Sequence, residues 1–504
     1  MHLKLPSLQQ GMKDQLILGI GTLIVYILSF PPGGNLGAFL TLNGASQYLM
    51  TKALVEDLSF EITKYCDYTS PDFVFTTCDI AEYNGKFYSS KPPGASIIAI
   101  PFYIVGREVG KLFGLNSELN LTTSVLLSSA VFASLTILIV YRFANLYTTR
   151  EISLITAISL AFATILWAYS RTFFRHSIVT FFVTLTAYLL VKYGRNNQLN
   201  LVFWAGVASG FAIICDWGAI LLFVPQIGYL IGKRQLTKLD LQKAGVYVLG
   251  PLGGFIFIGI FNLICFGDPL SFSYSNSVYI EDKFDRSLID LLLDLDPIRY
   301  FQQIAFMTFA FRIVEVRGQT GITANRAIFL QTPILILSFV GYFLLYKKDR
   351  HLTLFLGSSC LLILLMYARW EEWHGGMCWG SRQLLMIIPL LLIPMVMTIE
   401  RFGYRRIFWV VFLILFGHSC TTAFIGGISD WVLEDWLAFF QDDVHIRMFL
   451  FPNLSLILIV AIELILISRA LVNVPKIYRQ LNYERKETMK QKYHQNKPLK
   501  LPNH

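Results

Sequence analysis

The sequence predicts an all-α, polytopic membrane protein with about 12 transmembrane helices. Three observations carry that expectation. The 504 residues are 55% hydrophobic and only 15% charged, with a mean hydropathy of +0.55, too apolar for a soluble domain of ordinary size. Apolar stretches of roughly 15 to 22 residues recur, the length a bilayer core demands once tilt is allowed. When those stretches are counted as spans, the basic turns between them all fall on one side.

The expected spans lie near 15–31, 120–141, 152–169, 177–192, 201–215, 217–231, 245–265, 327–346, 352–368, 383–399, 407–424 and 452–470. The first follows Lys4 and Lys13, but no small-residue cleavage site comes after it, so it reads as an anchor rather than a removed signal. The apolar segment 95–113 is left out because Arg107, Glu108 and Lys111 are costly at mid-bilayer. It reads as a helix lying at the interface. The turns from Arg142 to Arg150, Lys192 to Arg195, Lys233 to Lys243, Lys347 to Arg350, Arg401 to Arg406 and the tail from Arg469 are then all cytoplasmic, as are both termini. Residues 472–504 read as a basic, disordered cytoplasmic tail attracted to anionic headgroups. The formal charge of +9 therefore reports topology rather than nucleic-acid binding.

The same topology places outside the membrane a large first loop, 32–119, the turn 170–176, and loops 266–326, 369–382 and 425–451. A transporter concentrates polar groups at the bilayer midplane and often repeats internally. Here the spans carry few ionisable residues, Asp216 and Glu463 being the exceptions, and the chemistry sits in the outer loops.

Three constellations stand out. Tyr83 to Gly94 sets Lys91 before Pro92-Pro93-Gly94 at the start of an apolar helix, where exposed N–H groups and a lysine suit a phosphate. The same loop offers Asp79 and Asp72 as carboxylate bases, with Tyr83 and Tyr88 as polar-substrate contacts. The second is Thr164 to His176. Tyr169, Arg171, Arg175 and His176 stand where one span ends and the next begins, suited either to a lipid-linked phosphate or to snorkelling in an aromatic belt. The third is Arg369 to Arg382, with three tryptophans and three glycines among fourteen residues. Trp373 and Trp379 offer sugar-stacking faces, and Glu371, Glu372 and His374 offer polar contacts or a divalent-cation site.

In order and spacing, these segments resemble the type C membrane glycosyltransferases that use polyprenyl-phosphate sugars, among them protein O-mannosyltransferases and bacterial aminoarabinose transferases. The resemblance rests on Asp79 to Gly94, Trp167 to His176, Asn262-Leu263-Ile264-Cys265-Phe266-Gly267-Asp268-Pro269, Asn325-Arg326-Ala327-Ile328-Phe329 before Pro333, and Trp373-His374-Gly375-Gly376 with Trp379-Gly380-Ser381-Arg382. It is closest to the bacterial branch. It implies a transmembrane transferase domain over 1–424, an outer loop and last span over 425–471, and juxtamembrane helices in the first outer loop. It also implies inverting transfer of a hexosyl or pentosyl group from a polyprenyl-phosphate donor to a glycan, lipid or protein hydroxyl outside the plasma (inner) membrane. Lys91, Arg171, Arg175, His176, Arg326 and Arg382 would hold the donor phosphate.

The sequence departs from the better-known branches after the first span. Where they carry an acidic residue and often an arginine, it has Asn43 and Gln47. Asp79 or Asp72 then takes the base, or the protein is a degenerate member that moves or helps assemble lipid-linked glycans without chemistry. Cys66 and Cys78 share the first outer loop and form a candidate disulfide if that side is oxidising, while Cys215, Cys265, Cys360 and Cys420 read as small apolar residues. A P-loop and a dinucleotide glycine fingerprint are both missing, as expected for a lipid-linked donor.

Overall fold

The computed structural model describes residues 8–30, 42–66, 79–115, 117–232, 238–271, 273–278, 297–309, 312–316, 319–323, 327–370 and 379–428. Six described helices are long and apolar enough to cross a membrane: α1 (Leu8–Leu28, apolar from Gly11), α4 (Glu118–Ala144), α7 (Arg175–Asn196), α10 (Lys238–Phe266), α14 (Arg350–Arg369) and α17 (Arg406–Ile428). A bent pair, Arg382–Leu392 with α16 (Met395–Phe402), makes up to seven, with Pro389 and Pro394 flanking a 41° bend.

These seven match seven of the twelve expected spans, and the others differ. The stretch 152–169 is broken into α5 (Arg150–Phe162) and α6 (Leu166–Ser170). At the break, Thr164 caps both ends: its hydroxyl donates to the Leu160 carbonyl and accepts from the Leu166 N–H. The stretch 327–346 is likewise divided at Thr332-Pro333 into α12 (Ile328–Gln331), a 3₁₀ turn and α13 (Ile336–Lys348). The pair 201–215 and 217–231 forms shorter helices, α8 (Leu199–Cys215) and a 3₁₀ turn (Trp217–Leu222) running into α9 (Phe223–Ile231). Span 452–470, loop 425–451 beyond Ile428, and the tail lie outside the described residues.

Between residues 32 and 119 the structure places two helices beside the bundle, α2 (Leu42–Glu56) and α3 (Gly94–Phe113), the latter over the stretch read as interfacial. Two antiparallel ribbons correct the all-α expectation: β1 (Ile80–Tyr83) with β2 (Lys86–Ser89), and β3 (Arg312–Val316) with β4 (Gln319–Thr323). The first turns on Asn84 and Gly85, both at positive φ, the chemistry a two-residue hairpin needs.

Bundle packing is tightest where side chains are smallest. α8 and α10 cross with Gly206 against the Tyr247 carbonyl and Gly210 against that of Gly250, so that a Cβ at either glycine would stand 2.3 Å from oxygen. At the end opposite the hairpin, α1 is held to α5 by Asp14, whose carboxylate receives Nε and Nη2 of Arg150 at 2.5 and 2.6 Å and the Tyr141 hydroxyl at 2.8 Å.

Candidate active site

The ends of the helices predicted to point outward converge on one charged cluster. Its first limb is the turn leading into α3. Ser90 donates to the Asp79 carbonyl from its N–H and its hydroxyl, which closes the base of the hairpin and sets Lys91 against Asp79. Lys91 is 4% exposed, its Nζ 2.8 Å from Asp79 Oδ2 and 4.4 Å from the ring centre of Tyr274. That ring is held over the lysine by the segment 273–278, where Ser273 Oγ donates to the Ser90 carbonyl and Ser277 bridges Ala81. Charge, hydrogen bond and aromatic face together offset the burial of the ammonium.

α3 begins at Gly94, after Pro93 in a helical conformation, so both prolines precede the helix. Gly94 faces protein: a Cβ there would stand 2.5 Å from the Ile214 carbonyl and 2.7 Å from the Cys215 nitrogen. Close approach of α3 to the end of α8, rather than room for a ligand, is the constraint on this glycine.

That approach brings the Lys91 turn beside the second limb. Asp216 ends α8 and caps the 3₁₀ turn, accepting from the Gly218 N–H at 2.8 Å. It also receives Arg175 Nε at 2.6 Å on Oδ2 and the Tyr367 hydroxyl at 2.8 Å on Oδ1. His176 follows at 1% exposure, its ring packed by Tyr169 and Phe174, both at 5.7 Å, and neither ring nitrogen has a hydrogen-bond partner among the described residues. Arg175, Arg382 and Lys91 are the cations acting on that imidazole. Arg382 opens the turn Arg382–Ile387 with its guanidinium 5.0 Å from the Phe174 ring centre. Tyr169 and Trp379 join these elements, the tyrosine hydroxyl donating to the Trp379 carbonyl at 2.7 Å. Arg171 is buried in the same turn.

The structure thus brings together Asp79, Lys91, Arg175, His176 and Arg382, with Tyr169 and Trp379 behind them. Two expected contacts sit elsewhere. Tyr83 and Tyr88 pack edge-on against Phe266, and the Tyr83 hydroxyl lies over Gly267. The segment from Asn262 to Pro269 turns the end of α10 through Gly267 at φ 73°, with Asn262 Nδ2 donating to the Pro269 carbonyl. Asp72, Arg326, Glu371, Glu372, Trp373 and His374 lie outside the described residues. Cys66 is a free buried thiol, and Cys78 lies outside the described residues. Among the described residues no group of three or more His, Cys, Asp or Glu is placed to hold a metal. Tyr367, Tyr274 and the specific pairing of Asp216 went unforeseen, for their roles depend on partners 41 to 183 positions away.

The fold and cluster define a polytopic membrane protein with a buried cationic site at one end of the helix bundle. Residues 111–261, which contain Arg171, Arg175, His176 and Asp216, match the family model described as dolichyl-phosphate-mannose-protein mannosyltransferase. Over that segment the match agrees with the motif resemblance to the membrane glycosyltransferases. Among solved structures it is similar to ArnT from Cupriavidus metallidurans in the apo state, at 14% identity and a TM-score of 0.48, over 79% of this chain and 61% of that one. It is also similar to the Archaeoglobus fulgidus oligosaccharyltransferase in the apo form, at 12% identity and 0.47, over 85% and 56%. AglB from the same organism, in complex with an inhibitory peptide and a dolichol-phosphate, aligns at 11% and 0.45, over 83% and 55%. The chain therefore spans 55–61% of the length of these structures. No curated protein sequence matches it.

Proposed function

We propose that the protein transfers a sugar from a polyprenyl-phosphate donor to an acceptor hydroxyl on the extracytoplasmic face of the membrane, with inversion. The observation that carries the reading is the gathering of Lys91, Arg175, Arg382 and the His176 imidazole, without a hydrogen-bond partner among the described residues, beside the Asp79 carboxylate. In the step, the acceptor oxygen bonds to the anomeric carbon, the carbon–phosphate oxygen bond breaks, and its electron pair leaves with the phosphate. The acceptor proton goes to Asp79, whose second oxygen is not engaged by Lys91 and whose side chain retains 19% exposure. Charge developing on the phosphate is met by Lys91, Arg175 and Arg382, and His176 supplies a neutral donor. Fixed cations in a site shielded from water stabilise a charge gained in the transition state more than the donor's single negative charge, which is how binding becomes rate.

In this reading the loop 369–382 supplies the acceptor and sugar contacts through Trp373, Trp379 being buried against Gly426 rather than open to a sugar, and a divalent cation would be held by Glu371, Glu372 and His374. Loss of turnover on chelation, restored by added cation, would support that last element; unchanged turnover removes it. The sugar, hexosyl or pentosyl, and the acceptor, glycan, lipid or protein, are set by the outer loops. The membrane is the plasma (inner) membrane with both chain ends inside.

The test is release of free polyprenyl phosphate from a panel of radiolabelled polyprenyl-phosphate sugars by the purified protein, with Lys91→Ala and Asp79→Asn in parallel. Release by wild type that falls at least about 100-fold in both variants supports the assignment. Normal release by both variants overturns the site. Absence of release with every donor, even with membrane extract as acceptor source, turns the reading to a non-catalytic transport or assembly role.

A further inference from the structure

We infer that Asp216, braced by Tyr367, is a positioning residue that aims the Arg175 guanidinium into the anion site. The inference rests on the reading of that cluster as the seat of the donor phosphate.

Geometry carries it. Arg175 meets Asp216 at one point, through Nε at 2.6 Å, and among the described residues its two terminal amino groups take no hydrogen-bond partner. A guanidinium is a planar fork with five N–H donors. Held by Nε alone, it keeps its terminal groups for something else, and a phosphate is the ligand that such a fork matches in shape and charge. The partner itself is immobilised. Asp216 is 1% exposed and its other oxygen accepts from the Tyr367 hydroxyl and the Gly218 N–H, both at 2.8 Å. Donors from α7, from α14 and from the 3₁₀ turn that Asp216 caps fix the carboxylate, so its direction is set by three elements at once. A second observation points the same way. His176, the next residue after Arg175, is buried with both ring nitrogens unpartnered among the described residues, a polar group placed for a ligand rather than for the protein.

Asp216 touches no substrate in this arrangement, and its charge opposes that of an anion. The two effects have opposite signs. Removing the carboxylate's charge would strengthen anion binding if Asp216 only diluted the local positive potential; it weakens binding if Asp216 aims Arg175.

The experiment measures binding of a polyprenyl monophosphate of defined length to the full-length protein in lipid nanodiscs. It compares wild type, Asp216→Asn, Tyr367→Phe, Arg175→Ala and the Arg175→Ala, Asp216→Asn double variant, with thermal unfolding of each. Asp216→Asn is expected to weaken binding about 10-fold and to slow donor turnover about 100-fold, as misaligned groups do. Tyr367→Phe, which retains the carboxylate, is expected to lose a smaller factor in the same direction. The double variant is expected to bind no worse than Arg175→Ala alone, because a residue acting through Arg175 has nothing to act through once it is gone. Unchanged or tighter binding by Asp216→Asn overturns the inference, as do losses that add in the double variant. If Asp216→Asn fails to accumulate, Tyr367→Phe decides alone, and wild-type binding in it overturns the proposal. Failure of wild type itself to bind the lipid phosphate overturns the donor-site reading and this inference with it, a result separate from wild-type binding that Asp216→Asn leaves intact.

Discussion

Two arginines in this protein are paired with buried aspartates at opposite ends of the bundle, and they are paired differently. At one end Arg150 gives Asp14 two prongs of its fork, Nε and Nη2, while Tyr141 takes up the same carboxylate. At the other, Arg175 gives Asp216 only Nε. The first pair is bidentate, two of the arginine's nitrogens holding α1 to α5. The second is held at one nitrogen, its carboxylate taking three donors while the arginine's terminal amino groups have no hydrogen-bond partner among the described residues. Lys91 with Asp79 differs again, since there the carboxylate holds the remaining exposure, 19% against 5% for the lysine side chain. A buried ion pair contributes little net stability once desolvation is counted, so the number of donors left over, rather than the presence of a pair, separates a clamp from a site.

That contrast can be broken most directly at its bidentate member. Asp14→Ala leaves Arg150 and the Tyr141 hydroxyl without their acceptor, and is expected to cost about 3 kcal/mol of stability. Release of polyprenyl phosphate per folded molecule should stay at the wild-type level; a specific loss of turnover would show that this end also serves the chemistry. Arg175→Lys sharpens the singly held member. It preserves the charge but not the fork, and turnover is expected to fall about 30-fold with little change in the unfolding temperature. Full turnover by the lysine variant would reduce Arg175 to a point charge.

Gly94→Ala tests the joint between the two limbs of the cluster. The added methyl meets backbone at 2.5 Å, so α3 must move off the end of α8 and carry Lys91 with it. Turnover is expected to fall about 10-fold, and the expected mark is a raised donor KM if Lys91 binds ground state and transition state alike, or a lowered kcat if it acts in the transition state alone. The smallest effect belongs to the pair formed by Lys86 on the hairpin and Glu61 in the segment preceding it, 2.8 Å apart. The hydrogen bond from Lys86 holds the Glu61 carboxyl below its ordinary value of 4.5. A carboxyl lowered by folding stabilises the native state above that value and loses its contribution as pH falls through the folded value. Glu61→Gln should therefore flatten a slight loss of stability below pH 4.5 and leave turnover unchanged at neutral pH; a turnover change would place the hairpin face in the site.

Much of the cluster was legible in the sequence. Lys91, Asp79, Arg175, His176 and Arg382 were all singled out, because charges beside apolar stretches are costly and therefore informative. The hairpin was legible in principle, since Asn84-Gly85 is a strong two-residue turn signal, but it went unassigned within the first outer loop. The role of Gly94 was not, for whether a glycine faces a ligand or a neighbouring helix depends on what packs there. Nor was Tyr367, an apolar-looking residue in a span until Asp216 is seen opposite its hydroxyl. The contact of Tyr83 and Tyr88 with Phe266 was likewise not legible, since it depends on where the end of α10 packs.

The sequence by itself determined that the chain lives in a membrane and which ionisable residues are costly enough to need a reason. Those follow from hydropathy, loop charge and spacing, all local properties of the chain. Only the tertiary structure decided which charges meet. Lys91 with Asp79 and Arg175 with Asp216 are 12 and 41 positions apart and Tyr367 is 151 from Asp216, and contacts of that kind arise from helix packing, which depends on the shapes of every surface between them rather than on any one segment.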